Sequence, residues 1–295
     1  MHKKTAFFMV LGLLLMIKAA CAITTLSNIC SADVAVPDQS PKSLQKGLSQ
    51  ALNQVLVKVS GNTSVMSLPA ITGVLPTVNH YVASYSYTAQ NDQNNDPKKQ
   101  ALMLHVVFDN KAIQQILQNA GQAIWGGNRP LTLVWLVRPL SGQTTVLASD
   151  DNDPLIATVK QTAMTRGVPI IFPAMDLEDQ ADVAQTTSAL PTNEQLKQIT
   201  KKYGVSSLLA GAIVSAASDD HAGAVEGEWR LVLNGTPYEW QTSGADVTQV
   251  VNNGIDRAAD MMVNQLATIG GKNLQNIVTV QIHDVQNLND YVSAL

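Results

Sequence analysis

Trp125-Gly126-Gly127-Asn128-Arg129-Pro130, running into Leu131-Thr132-Leu133-Val134-Trp135-Leu136-Val137, is the stretch on which the reading of this chain turns. A tight polar turn leads into seven residues of which only Thr132 is polar. Such a run, rich in β-branched and aromatic types, suits a strand covered on both faces, as in the middle of an α/β sheet. It also divides the chain, because the patterns before and after it read as separate folding units.

Working outward toward the N-terminus, residues 110–121 form a helical pattern with Ile113, Ile116, Leu117 and Ala120 on one side and Gly121 as its stop. Ala101 to Phe108 and Tyr81 to Tyr87 read as two strands, joined by a polar hairpin loop over 90–100. A weaker helical piece is expected within 64–82, interrupted near Pro69 and Pro76. Before it, Ser40-Pro41 supplies an N-cap with proline at the first helical position. Leu44, Leu48, Leu52, Val55, Leu56 and Val59 then follow at three- and four-residue steps, a core-facing stripe that Gly61 ends. With a short extended piece over Ala32–Val36, residues 23–125 read as a β-α-α-β-β-α domain. Small modules of this kind bind, dock or space other parts more often than they catalyse.

Toward the C-terminus, Asp153-Pro154 caps a helix carrying Leu155, Ile156, Val159 and Ala163, closed by Gly167. Val168 to Phe172 is a short apolar strand. Thr192 and Gln195 have capping-box spacing ahead of Leu196, Ile199 and Tyr203, and Gly204 is the stop. Ser206 to Val214 is again a nearly all-apolar strand. Trp229, Leu231 and Leu233 alternate with Arg230, Val232 and Asn234, and Asn234-Gly235 is a strong type I′ hairpin turn. Pro237 pushes the returning strand, Tyr238 to Gln241, toward a sheet edge. A long helix follows from about Asp246, then an alternating strand at Val278, Val280 and Ile282. The whole predicts an α+β fold of two small α/β sandwich-type domains, the second a mixed sheet with helices over 126–283. Residues 284–295 read as the start of an element cut short or completed elsewhere.

The first 22 residues stand apart. Lys3 and Lys4 form a basic n-region, Phe7 to Ile17 is an apolar run of eleven residues, and Ala20-Cys21-Ala22 has the small-x-small pattern of a cleavage site. We expect a secretory signal peptide cleaved after Ala22, and hence a periplasmic protein. The run is shorter than the ~20 residues of a membrane span; the alternative is a membrane anchor over Phe7–Ile17. Lys18 stands where a lipobox wants an aliphatic residue, which argues against acylation at Cys21. Cleavage leaves Cys30 as the lone thiol, so neither an internal disulfide nor a cysteine zinc site can form. It also removes Lys3, Lys4 and Lys18 from the 19 basic residues, leaving 16 against 23 acidic ones and a formal charge of −7. That balance excludes the phosphate-neutralising footprint of a nucleic-acid binder.

The pieces together resemble a bacterial family known only as a domain of unknown function, number 2066. Three stretches carry the likeness: Ala51 to Asn62, Trp125 to Pro130 with the Leu-Val-Trp-Leu strand, and Pro173 to Asp179. The resemblance implies an exported Gram-negative envelope protein, without assigned activity, that continues past the strand at Val278. At the level of fold analogy alone, the second domain is similar to the N-terminal domain of TolB-like periplasmic translocation proteins.

No catalytic or cofactor motif stands out: there is no G-x-S-x-G elbow, P-loop, G-x-G-x-x-G or HExxH. His80, His105, His221 and His283 lack ligand spacing, and His105 reads as a cross-strand residue. Asp150-Asp151-Asn152-Asp153 lacks the glycine and distant glutamate of an EF-hand loop. Asp176, Glu178, Asp179 and Asp182 read as a solvated face; the alternative is a hydrolase built on them. Trp125, Asn128 and Arg129 are the candidate docking residues, since tryptophan and arginine are favoured interface anchors. Read structurally, the same residues make a turn in which Trp125 packs over the junction and Arg129 pairs with a carboxylate. The expectation is therefore a non-catalytic accessory or binding protein of the cell envelope, with an envelope protein as partner and no cofactor. It would touch the membrane only through an uncleaved signal segment. A small-ligand binding protein with an inter-domain pocket is the further alternative.

Overall fold

The computed structural model describes residues 23–25, 29–91, 100–140, 143–185, 190–215, 225–269 and 272–273. The signal segment, most of the 90–100 loop, His221, the strand expected at Val278–Ile282 with His283, and the 284–295 element lie outside them. The molecule is α+β, built on two main sheets.

In chain order, β1 (Ile23–Thr25) precedes β2 (Ser31–Val36), and the long helix α1 (Pro41–Ser60) follows. Ser40 caps α1 by accepting the Ser43 N–H, and Gly61 ends it in the left-handed conformation at φ 73°. The weaker helical region breaks into short turns around α2 (Pro69–Thr72). Then come β3 (Val82–Asn91), β4 (Gln100–Phe108) and α3 (Asn110–Asn119). The three strands pair antiparallel in the order β2-β4-β3. Their inner residues Val34, Leu104, Val106 and Phe108 bury with Leu52, Val55 and Leu56 of α1 and Ile113 and Leu117 of α3.

β5 (Asn128–Pro130) forms a separate two-stranded sheet with β1, and the second main sheet starts with β6 (Thr132–Leu140), the apolar stretch itself. After β7 (Gln143–Val146), α4 (Pro154–Arg166), β8 (Ile170–Ile171), α5 (Leu177–Gln185), α6 (Asn193–Tyr203) and β9 (Ser207–Ser215), a hairpin of β10 (Val225–Leu233) and β11 (Thr236–Gly244) leads to α7 (Val247–Leu266). The chain then forms the small pair β12 (Thr268–Ile269) and β13 (Lys272–Asn273). Strand order is β11-β10-β9-β6-β7, with β8 also on β6; β6 pairs parallel with β8 and β9, and the other neighbours are antiparallel. Parallel strands need a long crossover, which α4 to α6 supply.

Both faces of β6 are covered. Val134 and Leu136 bury against α4 and α7 with Val159 and Ile255, whereas Leu133 and Trp135 bury with Leu196 and Ile199 of α6. The same layering covers both sides of β10: Trp229, Leu231 and Leu233 bury with the α7-side residues and Val232 with the α6-side residues. Asn234 and Gly235 both have positive φ, 50° and 83°, as the type I′ turn requires. Pro237 lies on β11, the edge strand. Trp229 is enclosed by glycines, and at Gly254 on α7 an added Cβ would stand 2.6 Å from its Cδ2. The indole N–H donates to Thr242 Oγ1 at 2.8 Å.

Candidate functional site

The structure turns Trp125 and Arg129 inward. Trp125 is 1% exposed and Arg129 fully buried; of the three candidate docking residues only Asn128 is exposed. Arg129 meets no carboxylate among the described residues. Its guanidinium lies 3.9 Å over the Trp125 ring and donates to five carbonyls: Gly126, Trp125, Lys58, Gly167 and Arg166, at 2.9, 2.8, 2.7, 2.6 and 3.4 Å. Lys58 belongs to the last turn of α1, and Arg166 and Gly167 end α4. Two helix C-termini, each the negative end of a dipole, thus converge on one cation. Burial pushes the guanidinium down to about 9, still above neutrality. Arg166 completes this joint. It is 2% exposed, pairs with Asp256 and Asp260 of α7, and donates to the Gly61 carbonyl at 3.0 Å.

The acidic cluster is an ion network around α5, a helix formed where the sequence read as a solvated acidic face. Asp176 accepts from the Glu178 and Asp179 N–H groups, and Lys202 pairs with Asp176, Glu178 and the fully buried Asp179. The Tyr203 hydroxyl donates to Asp179 Oδ2 at 2.6 Å and accepts from the Ala174 N–H. The hydrogen bond from Lys202 holds Asp176 below the usual carboxylate range, while burial and Asp179 push Tyr203 up to about 12. A network so arranged keeps its carboxylate ionised and its phenol protonated, the opposite of a poised general acid and base. In the other acidic loop, Asp151 accepts from the Ala148 N–H and Asp153 caps α4. No group of three or more His, Cys, Asp or Glu stands ready for a metal ion among the described residues. His105 contacts Asp33 across β2 and β4 at 2.7 Å. Cys30 is buried beside Asn110, and burial pushes its thiol up.

Among several hollows in the described residues, one lies between the two sheets, directly above the arginine joint, and is lined from both. It is a cleft of about 390 Å³ formed by the start of β2, the outer side of α1 and the outer side of α4. That volume falls within the ~300–1,000 Å³ of small-molecule pockets. Ile29, Ala32, Met164, Val168 and Ile170 make apolar wall; Ser31, Asp33, Gln54, Gln161 and Thr165 add polar groups; Lys58 and Lys160 are its two basic residues. On α4 the inward residues Val159 and Ala163 serve the core, so Lys160, Gln161, Met164 and Thr165 fall on the helix side turned to the cleft. Gly167, at φ 67°, makes room for Lys58: a Cβ there would stand 2.7 Å from Lys58 Cγ. Lys58 Nζ donates to the Ser31 carbonyl at 2.8 Å. Burial is the main cause that lowers its pKa below the ordinary lysine value; Asp33 works against it and Arg129 adds to it.

The motif reading missed this site. Its one sequence signal is Lys58 itself, a lone cation inside Val55-Leu56-Val57-Lys58-Val59. Lys160 sits on an ordinary polar helix face and carries no such signal.

Residues 24–126 match a family model described as a domain of unknown function (DUF8605). This corrects the resemblance to family 2066, since the model that matches is a different one. No curated protein matches the chain. Among solved structures, a competence-damaged protein (CinA) superfamily protein from Klebsiella pneumoniae is 14% identical over 52% of this chain and 92% of its own, with a TM-score of 0.24. A protein of the same superfamily from Enterobacter cloacae is 13% identical over 53% and 89%, with a TM-score of 0.25.

Proposed function

We propose that this is an exported, non-catalytic binding protein of the Gram-negative envelope, and that its ligand is a small molecule held in the cleft between the two sheets. The observation that carries the reading is the cleft itself: apolar wall and convergent polar groups in a cavity of ligand size. The acidic cluster supports binding over hydrolysis, because Lys202 and Tyr203 already occupy its carboxylates. Export rests on the basic, apolar and Ala20-Cys21-Ala22 segments in succession.

The test uses the full chain expressed in a Gram-negative host. Protein recovered from the periplasmic fraction should begin at Ile23, and should bind the neutral apolar probe N-phenyl-1-naphthylamine saturably at one site per chain. Met164→Trp, which fills the cleft from the exposed side of α4, should abolish that binding. A cytoplasmic protein that retains its first 22 residues would sink the export reading. Saturable binding unchanged in Met164→Trp, or no saturable binding at all, would sink the cleft reading.

A further inference from the structure

Resting on the cleft reading above, we infer that the ligand is an anionic amphiphile: a carboxylate on a short apolar chain, its charged end held between Lys58 and Lys160. Three observations carry this. First, neither amine is ion-paired among the described residues: the Lys58 ammonium donates to a neutral backbone carbonyl, and Lys160 Nζ lies 5.8 Å over the Phe172 ring. A half-buried ammonium with only a carbonyl acceptor retains unmet electrostatic demand, which an anion would satisfy with a charge-assisted hydrogen bond.

Second, Asp33, the acid on the cleft wall, reaches Lys58 only through space and makes its direct contact elsewhere. Asp33 contacts His105 across the open face of the first sheet, and its side chain is 58% exposed. The buried cation of Arg129, immediately beneath Gly167, adds positive potential on the same side. The local field therefore favours a negative over a positive guest.

Third, the wall combines basic and apolar residues from different elements. Lys58 enters from α1 and Lys160 from α4, whereas Val168 and Ile170 continue past the end of α4 as apolar surface. A guest with a charged head between the helices and a hydrocarbon tail along that surface satisfies both, at a volume near 390 Å³.

The experiment is displacement of bound N-phenyl-1-naphthylamine by decanoate, decan-1-ol and decylamine, on the wild-type chain and on Lys58→Met and Lys160→Met. Decanoate should displace the probe at a concentration about tenfold lower than decan-1-ol, one decade being about 1.4 kcal/mol. Decylamine should be the weakest of the three. Each methionine variant, shown to be folded by an unchanged far-UV circular dichroism spectrum, should lose the preference for decanoate over the alcohol.

Equal displacement by acid and alcohol, preference for the amine, or a decanoate preference that survives both variants would overturn the anion assignment while the cleft remains a binding site. Failure of the probe itself to bind is a different result; it removes the cleft reading and this inference with it.

Discussion

Arg129 shows most directly how a single side chain sets the architecture here. Its planar guanidinium offers five donors in a fixed fork, and the structure uses them on five carbonyls of three segments. Arg129→Met should strand these acceptors in a buried setting and destabilise the fold by roughly 3 kcal/mol or more, since each unsatisfied buried group costs about 1–3 kcal/mol. Urea unfolding measures this; a loss under about 1 kcal/mol would mean that the carbonyls find other partners. Gly254→Ala tests a steric demand instead, because the methyl would enter the Trp229 ring. It should cost about 1–3 kcal/mol, as overpacking does, despite the better helix propensity of alanine. Trp125-Gly-Gly-Asn-Arg was legible as a turn that matters, and its tryptophan as packing. The partners of Arg129 were not legible, because backbone carbonyls 37 and 71 residues away in sequence leave no mark on composition or spacing.

Element ends were the most readable part of the chain. Ser40 and Gly61, Asp153 and Gly167, and Thr192 with Gln195 and Gly204 stand where the helices begin and stop, because capping is local chemistry between residues two to five apart. Strand partners were less readable. The pairing of β1 with β5 and of β6 with β9 depends on distant segments, and α5 was masked by its polar residues. That helix is held by Asp176 and Lys202, and this predicts an acid dependence. The hydrogen bond from Lys202 keeps Asp176 below its ordinary 3.8, so its contribution is present above 3.8 and lost as pH falls through the depressed value. Asp176→Asn should flatten the acid limb of stability below pH 3.8 and leave the neutral region's pH slope unchanged. Urea midpoints across pH 2 to 6 would show it, and an unchanged acid limb would refute it.

At the scale of the whole molecule, the two sheets are joined by the arginine pair. Arg166 ties α7 to the end of α1, so the first sheet's long helix shares its last turn with the second sheet's helices. Heat unfolding should therefore be one transition with equal calorimetric and van't Hoff enthalpies. Arg166→Met should separate it into two; a single, merely lowered transition would assign the coupling elsewhere. The cleft was the least legible feature of all, since its wall is assembled from residues 29–33, 54–58 and 160–170. Its pH response follows from Lys58. Burial lowers the ammonium's pKa, so decanoate affinity should fall, as pH rises, at a lower pH than an ordinary lysine at 10.5 would impose. Lys58→Met should remove that alkaline step. An affinity that holds beyond pH 10.5 would exclude Lys58 as the anchor.

The arginine joint also bears on time. A ribosome releases this chain from its N-terminal end, and α1 is complete once residue 61 has emerged. Its terminal carbonyls, however, wait for Arg129 and Arg166, and Arg166 in turn waits for Asp256 and Asp260. The first-made helix is thus sealed among the last, and for most of synthesis the nascent chain keeps its central seam open.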